Sequence, residues 1–573
     1  MNYKPFEEEH DTMRVMLQRV SEDYPNNVAF VVKEKVDKDV KYINHTYKML
    51  LEDTKALGTA LLSHDCADER IAIMGENSYT WIMTFFSVVN GVGVAIPLDR
   101  AMQIDELESC LNRSKATVYF FEKKLLNIAE QVCNRENTGV KLFVGLDFKP
   151  TFGLSLDELI EEGSRLMGEG DESYVNRDID KDAMSFMVFT SGTTAKSKAV
   201  MLSHRNITSN IYGMAGFEKM YENDVNMAFL PFHHVFGLTG LMVMITYGAK
   251  NVFCDGLKYF QTNLKEYKVT VFMSVPLLIE TLYKRLYKEI EKQGKEKTVK
   301  KALKICNVTE KLGINIRRKM FKSILDQLGG DIRFIISGAA PFDPEMEQGL
   351  SEFGILVVNG YGLTEMSPVI ASESHIYRRP GTVGMVLPNV QVKLKDINED
   401  GIGEVLAKGP NVMLGYYENE EATSKAITDG WYHTGDLGCF DKDGYLWLRG
   451  RKKNVIILKS GKNVFPEELE QLINKLEYVE ENMVFPLKKH NEFVIWAKIV
   501  YKEEYLEEKG IDIKQFKKIV AKDLDKINKT LPHYKHIKKH FLSTRATIKT
   551  TTAKTKRAEE IIAIKEELDQ IGG

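Results

Sequence analysis

Between Thr190 and Lys198 the chain sets Thr190, Ser191, Gly192, Thr193, Thr194 and Ser197 ahead of a lysine, with the apolar runs Phe186–Phe189 and Val200–Leu202 on either side. Apolar run, polar loop and apolar run read as two strands joined by a loop. Hydroxyls, free backbone N–H groups and an ammonium suit an extended chain of phosphates, because each donor meets an anionic oxygen and the glycine lets the backbone come close. A Ser/Thr-rich hairpin turn has the same composition. A P-loop does not fit. Counted from Gly192, Ser197 and Ala199 stand where G-x-x-x-x-G-K-[ST] needs its second glycine and its Mg²⁺ hydroxyl.

Three later runs carry chemistry of the same kind. NGYGLTE, Asn359 to Glu365, groups Tyr361, whose ring can lie against an adenine, with Thr364, a hydroxyl for a phosphate, and Glu365, a hard oxygen ligand for Mg²⁺. A glycine-rich turn at a strand end would read the same way. HTGD, ending in Asp436, puts a carboxylate on a tight turn where it could accept both ribose hydroxyls or serve as an ordinary turn aspartate. In the lysine-rich run from Ile548, charge alone does not separate Lys549, Lys554 and Lys556. His234, in LPFHHVFG, is either a core histidine or a ligand.

In this order the runs resemble the motifs of the adenylate-forming superfamily, and PFHH, YGLTEMSP and RGRKKNVIILKSGKNVFPEELE look most like long- and medium-chain fatty acyl-CoA synthetases. The resemblance runs from about Asn26 to Arg557. Thr190, Ser191, Gly192, Thr193, Thr194 and Lys198 match the family's T-S-G-T-T-G-x-P-K-G loop, while Ala195, Ser197 and Ala199 depart from it. The resemblance implies that Gly338 and Ala339 in SGAAP, together with Gly360, Tyr361 and Gly362, contact the nucleotide. It also implies that Thr364 and Glu365 act on phosphate and Mg²⁺, that Asp436 holds the ribose, and that His234 lines the acyl pocket. Gly450, Arg451 and Lys453 resemble the hinge signature, with Arg451 reaching the nucleotide and Lys453 as the pivot. The match to the family's last motif selects Lys554 as the adenylation lysine, with Arg557 fitting too, although Ile548 and Ala553 replace its proline and glycine. The implied reaction is activation of a carboxylic acid, expected to be a fatty acid, with ATP and Mg²⁺. An acyl-adenylate and pyrophosphate form first, and the acyl group then passes to coenzyme A.

These residues need a scaffold of strand ends. Short apolar runs at Val28, Arg70, Val92, Ala116 and Lys141, then at Asn251, Thr270, Asp331 and Gly354, alternate with helical patterns such as Thr46–Leu62 and Asp105–Leu111. That alternation predicts crossover units and an α/β fold. From Gly381 the texture becomes short strands and D-G turns, a small β subdomain over about 381–450. With the hinge that the resemblance implies at 451–454, the expected domains are 1–450, with mixed and parallel sheets covered by helices, and a small α+β domain over 455–573 that the same resemblance implies is mobile. Pro466 opens a helix there, with Leu469, Leu472, Ile473 and Leu476 on one face. The trio Gly91, Gly93 and Ala95 lacks a dinucleotide fingerprint's third glycine and reads as tight packing.

The 573 residues carry a formal net charge of −3, which argues against a general nucleic-acid binder. Six cysteines without a C-x-x-C pair suggest neither a disulfide framework nor a zinc site, and the acidic start does not resemble a signal peptide, so a cytoplasmic protein is expected. The uncharged stretches Asn77–Leu98 and Val225–Ala249 read as buried helix and strand pairs, because glycines, prolines and histidines interrupt them. Lys284–Met320 mixes lysine with glutamate. It is either a solvated helical surface or a basic face for a weak peripheral membrane contact. Two other functions compete: a ligase loading an acyl-carrier protein, and an inactive binding protein suggested by Ala195, Ala199 and Ala553.

Overall fold

The computed structural model describes residues 9–36, 39–135, 137–190, 197–217, 219–459, 462–489, 492–549 and 555–571. Two large sheets, covered by helices, make up its larger part. In the first, Leu356–Gly362, Phe334–Ser337, Val271–Ser274, Val225–Ala228, Lys250–Phe253 and Val28–Val36 run side by side in parallel. Antiparallel strands close its edges, Asp39–Thr46 on one side and Val369–Ser372 followed by Met385–Val386 on the other. In the second, Met184–Thr190, Val94–Leu98, Arg70–Met74, Val118–Phe121, Leu142–Gly145 and Leu154–Ser155 are parallel. Lys198–Ser203 and Gly415–Tyr416 add antiparallel to its far edge.

The strands that start the crossover units are apolar throughout, as sheets covered on both faces require. Ile71, Ala72, Ile73 and Met74 are all buried, as are Val118 to Phe121. Helices start where capping residues stand. Thr46 accepts from the Met49 amide and caps Tyr47–Ser63, and Ser78 caps Tyr79–Ser87. The stretch from Asn77 is thus helix and strand, packed through the fully buried Trp81, Phe85 and Phe86. A Cβ on Gly93 would lie 2.1 Å from the Glu69 carbonyl oxygen, so close backbone approach accounts for that glycine. Among the described residues no helix is long and apolar enough to cross a membrane.

A smaller antiparallel sheet follows, built from Gln391–Lys395, Gly403–Lys408, Ile427–Thr428, Trp431–Phe440 and Leu446–Arg451. Arg451, which the motif resemblance assigns to the hinge signature, is the last residue of that sheet. A 3₁₀ turn, Lys452–Asn454, comes next. The remaining chain has its own sheet, Val479–Lys489, Glu492–Tyr501 and Lys539–Ser543, and its own core of Ile456, Leu469, Ile473, Phe516, Val520 and Leu524. Helix Pro466–Asn474 places Leu469 and Ile473 in that core.

Candidate active site

The loop opens from a hairpin. Thr190 stands opposite Lys198 at the mouth, and the Thr190 hydroxyl donates to the Lys198 carbonyl at 3.4 Å. Ser191, Gly192, Thr193 and Thr194 lie outside the described residues. Arg113, at the end of helix Ile104–Ser114, braces the returning strand by donating to the Ser197 carbonyl at 2.7 Å and to its Oγ at 3.2 Å. Its guanidinium also lies 5.2 Å from the centroid of Phe189.

Lys198 meets a residue with no sequence signature. The two-residue strand Gly415–Tyr416 pairs with the hairpin so that Tyr416 stands opposite Val200. Lys198 and Val200 share a face because side chains alternate, which sets Tyr416 diagonal to Lys198. The ammonium lies 4.4 Å from the Tyr416 ring centroid. From its other end Tyr416 donates to Glu365 Oε1 at 2.9 Å. Burial, then the Glu365 charge, pushes the Tyr416 phenol pKa up, so it remains a donor. Glu365 belongs to the 3₁₀ turn Thr364–Met366, and its carbonyl accepts from the Met413 amide at 2.9 Å, which ties that turn to the segment carrying Tyr416.

The strand before this turn fixes a second cluster. Tyr361 is buried and its hydroxyl donates to Asp436 Oδ2 at 2.7 Å, while Arg451 Nε lies 3.1 Å from Oδ1. Asp436 and Arg451 face each other on paired strands. Gly435, at φ +69°, makes the tight turn that brings the carboxylate round, and the Asp436 amide closes onto Thr434 Oγ1 at 3.0 Å. Burial, then Asp436, raises the Tyr361 pKa. Tyr361 therefore uses its hydroxyl to hold Asp436, a contact beyond the ring-face role expected from its type. Of its flanking glycines, Gly362 is required by packing, because a Cβ there would lie 1.8 Å from the Pro368 carbonyl oxygen. In front of Gly360 the nearest atom is 3.8 Å away.

The third cluster is at the end of the neighbouring strands. Ser337 pairs with Asn359, so Gly338 and Ala339 leave the sheet beside Gly360. Ala339 adopts φ +69°, and a Cβ on Gly338 would lie 2.8 Å from the ring of Phe236. Phe236 is in the first turn of helix Val235–Thr246, whose N-cap is His234. The His234 and His233 rings are 4.4 Å apart, and His233 Nε2 is 3.7 Å from Asp99. Burial, then His234, pushes His233 down to about 4 against the pull of Asp99, so that imidazole is neutral at pH 7. Asn77 holds the preceding turn, donating to the Leu230 carbonyl at 2.8 Å and accepting from the Phe232 amide at 3.0 Å.

Behind Tyr361, Asn359 of the same run meets two carboxylates that no motif marks. The Asn359 amide nitrogen donates to Glu347 at 2.8 Å and to Glu373 at 3.1 Å, and all three side chains are buried. Arg378 is the cation facing them, 3.0 Å from Glu347.

Lys554 lies outside the described residues. Of the two other lysines in its run, Lys549 pairs with Glu481, and Lys556 lies 3.3 Å from Glu559. Arg557 braces the C-terminal unit by contacting Glu470 and the Val484 carbonyl. Lys453 lies in the exposed turn after the small sheet, beside Lys452, which pairs with Glu404 at 2.7 Å.

For a divalent cation, no cluster of three or more His, Cys, Asp or Glu side chains is present among the described residues. A protein cage is therefore not available there. Mg²⁺ held by one carboxylate, substrate phosphates and waters needs none, and Glu365, with one oxygen used by Tyr416, fits that coordination.

The AMP-binding enzyme family matches residues 17–417, and the AMP-binding enzyme C-terminal domain matches residues 453–567. Long chain acyl-CoA synthetase 4 of Arabidopsis thaliana is 29% identical over 506 residues, 81% of this chain and 74% of that protein. Human long-chain-fatty-acid–CoA ligase 1 is 29% identical over 80% of this chain and 70% of its own length. Among solved structures, the anthranilate CoA ligase AuaEII in complex with anthranoyl-AMP superposes with a TM-score of 0.75 at 19% identity, covering 97% of each chain. The chain belongs to the AMP-binding enzyme family.

Proposed function

We propose that this enzyme activates a carboxylic acid, a fatty acid by the names of its relatives, to an acyl-adenylate and then forms the thioester of coenzyme A. One observation carries the reading: Tyr416 joins Lys198 to Glu365 at one end of a row of strand ends, and Asp436 joins Tyr361 to Arg451 at the other. A nucleotide fits between two such ends, its triphosphate towards the first and its ribose towards the second.

In the first step a carboxylate oxygen attacks the α-phosphorus of ATP and the bond to pyrophosphate breaks. Lys198, with the hydroxyls of the loop it closes, neutralises charge on the departing phosphates, and Thr364 donates to a phosphate oxygen. Mg²⁺, when bound at Glu365, would supply further charge neutralisation. Asp436 accepts from the ribose hydroxyls, and Tyr361 and Arg451 fix both carboxylate oxygens in place for that task. Lys554 is assigned the contact between carboxylate and α-phosphate. In the second step a thiolate attacks the acyl carbon, the bond to AMP breaks, and AMP leaves. His234, at a helix N-terminus beside the Gly338 strand end, is assigned the wall between acyl group and nucleotide.

The test is pyrophosphate release across a panel of fatty and aromatic acids, followed by acceptor assays with coenzyme A and an acyl-carrier protein. AMP and acyl-CoA from a fatty acid support the reading. Acyl-adenylate that persists with coenzyme A but is discharged by carrier protein replaces it with the carrier-loading function. An absence of pyrophosphate release with any acid rejects catalysis altogether.

A further inference from the structure

Away from the nucleotide site, helix Glu296–Lys311 has two apolar faces where one would suffice. Val299 and Cys306 are buried in the core beneath it. Arg317 holds its edge, 2.6 Å from Asn307 and 2.7 Å from Glu310. Those contacts fix the helix rotation. On the outward side Ile305 is 50% exposed and Val308 60%, and the C-cap Leu312 and the following Ile314 are 73% and 56% exposed. At 3.6 residues per turn, Lys301, Ile305, Val308 and Leu312 form one line along the helix.

Lysines border this line. Lys297, Lys300, Lys304 and Lys311 lie on its flank, exposed like Lys301, and none of the five meets a carboxylate among the described residues. The acids of the helix are Glu296 and Glu310, and Glu310 is taken by Arg317. Single exposed apolar residues are ordinary. Four of them within ten positions, on the face opposite the core and edged by unpaired ammonium groups, require a partner that is apolar below and anionic at its surface.

We propose that the outward face of helix Glu296–Lys311, continued by Leu312 and Ile314, docks on an anionic lipid bilayer. The apolar line enters the boundary between headgroups and acyl chains, and the lysines meet lipid phosphates. A nucleic acid would satisfy the lysines and leave the apolar line in water. A second copy packed isologously would set the two lysine rows against each other. The inference goes beyond the catalytic reading and does not depend on which acid the site takes.

The test is co-sedimentation of the full chain with vesicles of phosphatidylcholine alone and of phosphatidylcholine with phosphatidylglycerol. Binding is expected to the anionic vesicles and to be reversed by high salt. Replacing Lys297, Lys300, Lys301 and Lys304 by Gln should weaken it by at least about tenfold, since each lysine near an anionic surface contributes measurably. Ile305→Ser with Val308→Ser should weaken it at unchanged charge. Replacing Lys514, Lys517 and Lys518, exposed on another helix, should leave it unchanged. Pyrophosphate release with a soluble acid, measured without vesicles on the same preparations, reports folding and catalysis separately. Failure to bind anionic vesicles, binding that the serine variants retain, or a solution dimer that those variants dissolve would each overturn the proposal.

Discussion

Tyr416 donates to Glu365 Oε1 at 2.9 Å while its ring faces the Lys198 ammonium at 4.4 Å, so one side chain spaces the cation of the phosphate loop from the carboxylate assigned to Mg²⁺. Without that spacer a lysine and a glutamate so placed would be free to pair with each other and leave the phosphates. Tyr416→Phe keeps the ring and removes the bond to the carboxylate, a loss of about 1.5–3 kcal/mol for a hydrogen bond to a charged group. The Mg²⁺ concentration for half-maximal pyrophosphate release should rise by roughly ten- to a hundredfold. Binding of ATP without metal, followed by calorimetry, should change little. Equal losses in both would mean that Tyr416 only supports the fold.

The carboxylate of Asp436 is buried and has one oxygen engaged by Tyr361 and the other by Arg451. Asp436→Asn removes the charge that Arg451 faces and one acceptor for the ribose. Breaking such a pair costs about 2–5 kcal/mol, so the KM for ATP should rise at least about thirtyfold. Tyr361→Phe, which removes only a hydroxyl, should cost less than Asp436→Asn. The reverse ranking would show that Tyr361, and not Asp436, holds the sugar.

Much of this scaffold is legible in the chain because its strands are apolar runs between helical periods. Ile71–Met74 and Val118–Phe121 form buried parallel strands where the alternation predicts them. Glu365 and Asp436 stand out by residue type and turn chemistry. Tyr416 does not, because a two-residue strand has no periodicity and its neighbourhood with Lys198 depends on pairing between segments more than two hundred positions apart. Asn359, Glu347 and Glu373 are hidden for a related reason. Each reads as an ordinary polar residue until the fold buries all three around one amide. Arg451 is a related case, since its motif points it towards the nucleotide and only the fold reveals that it stands on a strand opposite Asp436.

That buried group should make stability depend on pH. Burial, then Glu373, pushes Glu347 up to about 7 from an ordinary 4.5, against Arg378 and Asn359. Between those values the folded protein holds a proton that the unfolded chain has released, so its stability falls as pH rises across the window. The melting temperature should therefore decline from about pH 5 to about pH 7.5. Glu347→Gln, which resembles the protonated acid, should flatten the decline and raise stability at the upper end. An undiminished slope in the variant would assign the titration to other groups.

Lys475, at the C-cap of helix Pro466–Asn474, lies 2.8 Å from Glu345 and 3.7 Å from Asp343 in and before the first turn of helix Pro344–Glu352. The pair crosses from the C-terminal unit to the large sheets. The same short helix carries Glu347, which grips Asn359 beside Tyr361, so the contact links the position of the C-terminal unit to the nucleotide strand. Both partners are substantially exposed, and such a pair contributes about 0.2–1 kcal/mol. That is too little to change the melting temperature much. It is enough to shift the balance between two domain orientations by up to about fivefold. If catalysis alternates between orientations, Lys475→Glu should alter the rate of adenylate formation relative to thioester formation by that order, and adding Glu345→Lys should restore the ratio. Pyrophosphate release and acyl-CoA formation measured separately decide the matter. Equal effects on both steps, or no rescue by the second change, would leave Lys475 as an ordinary surface ion pair.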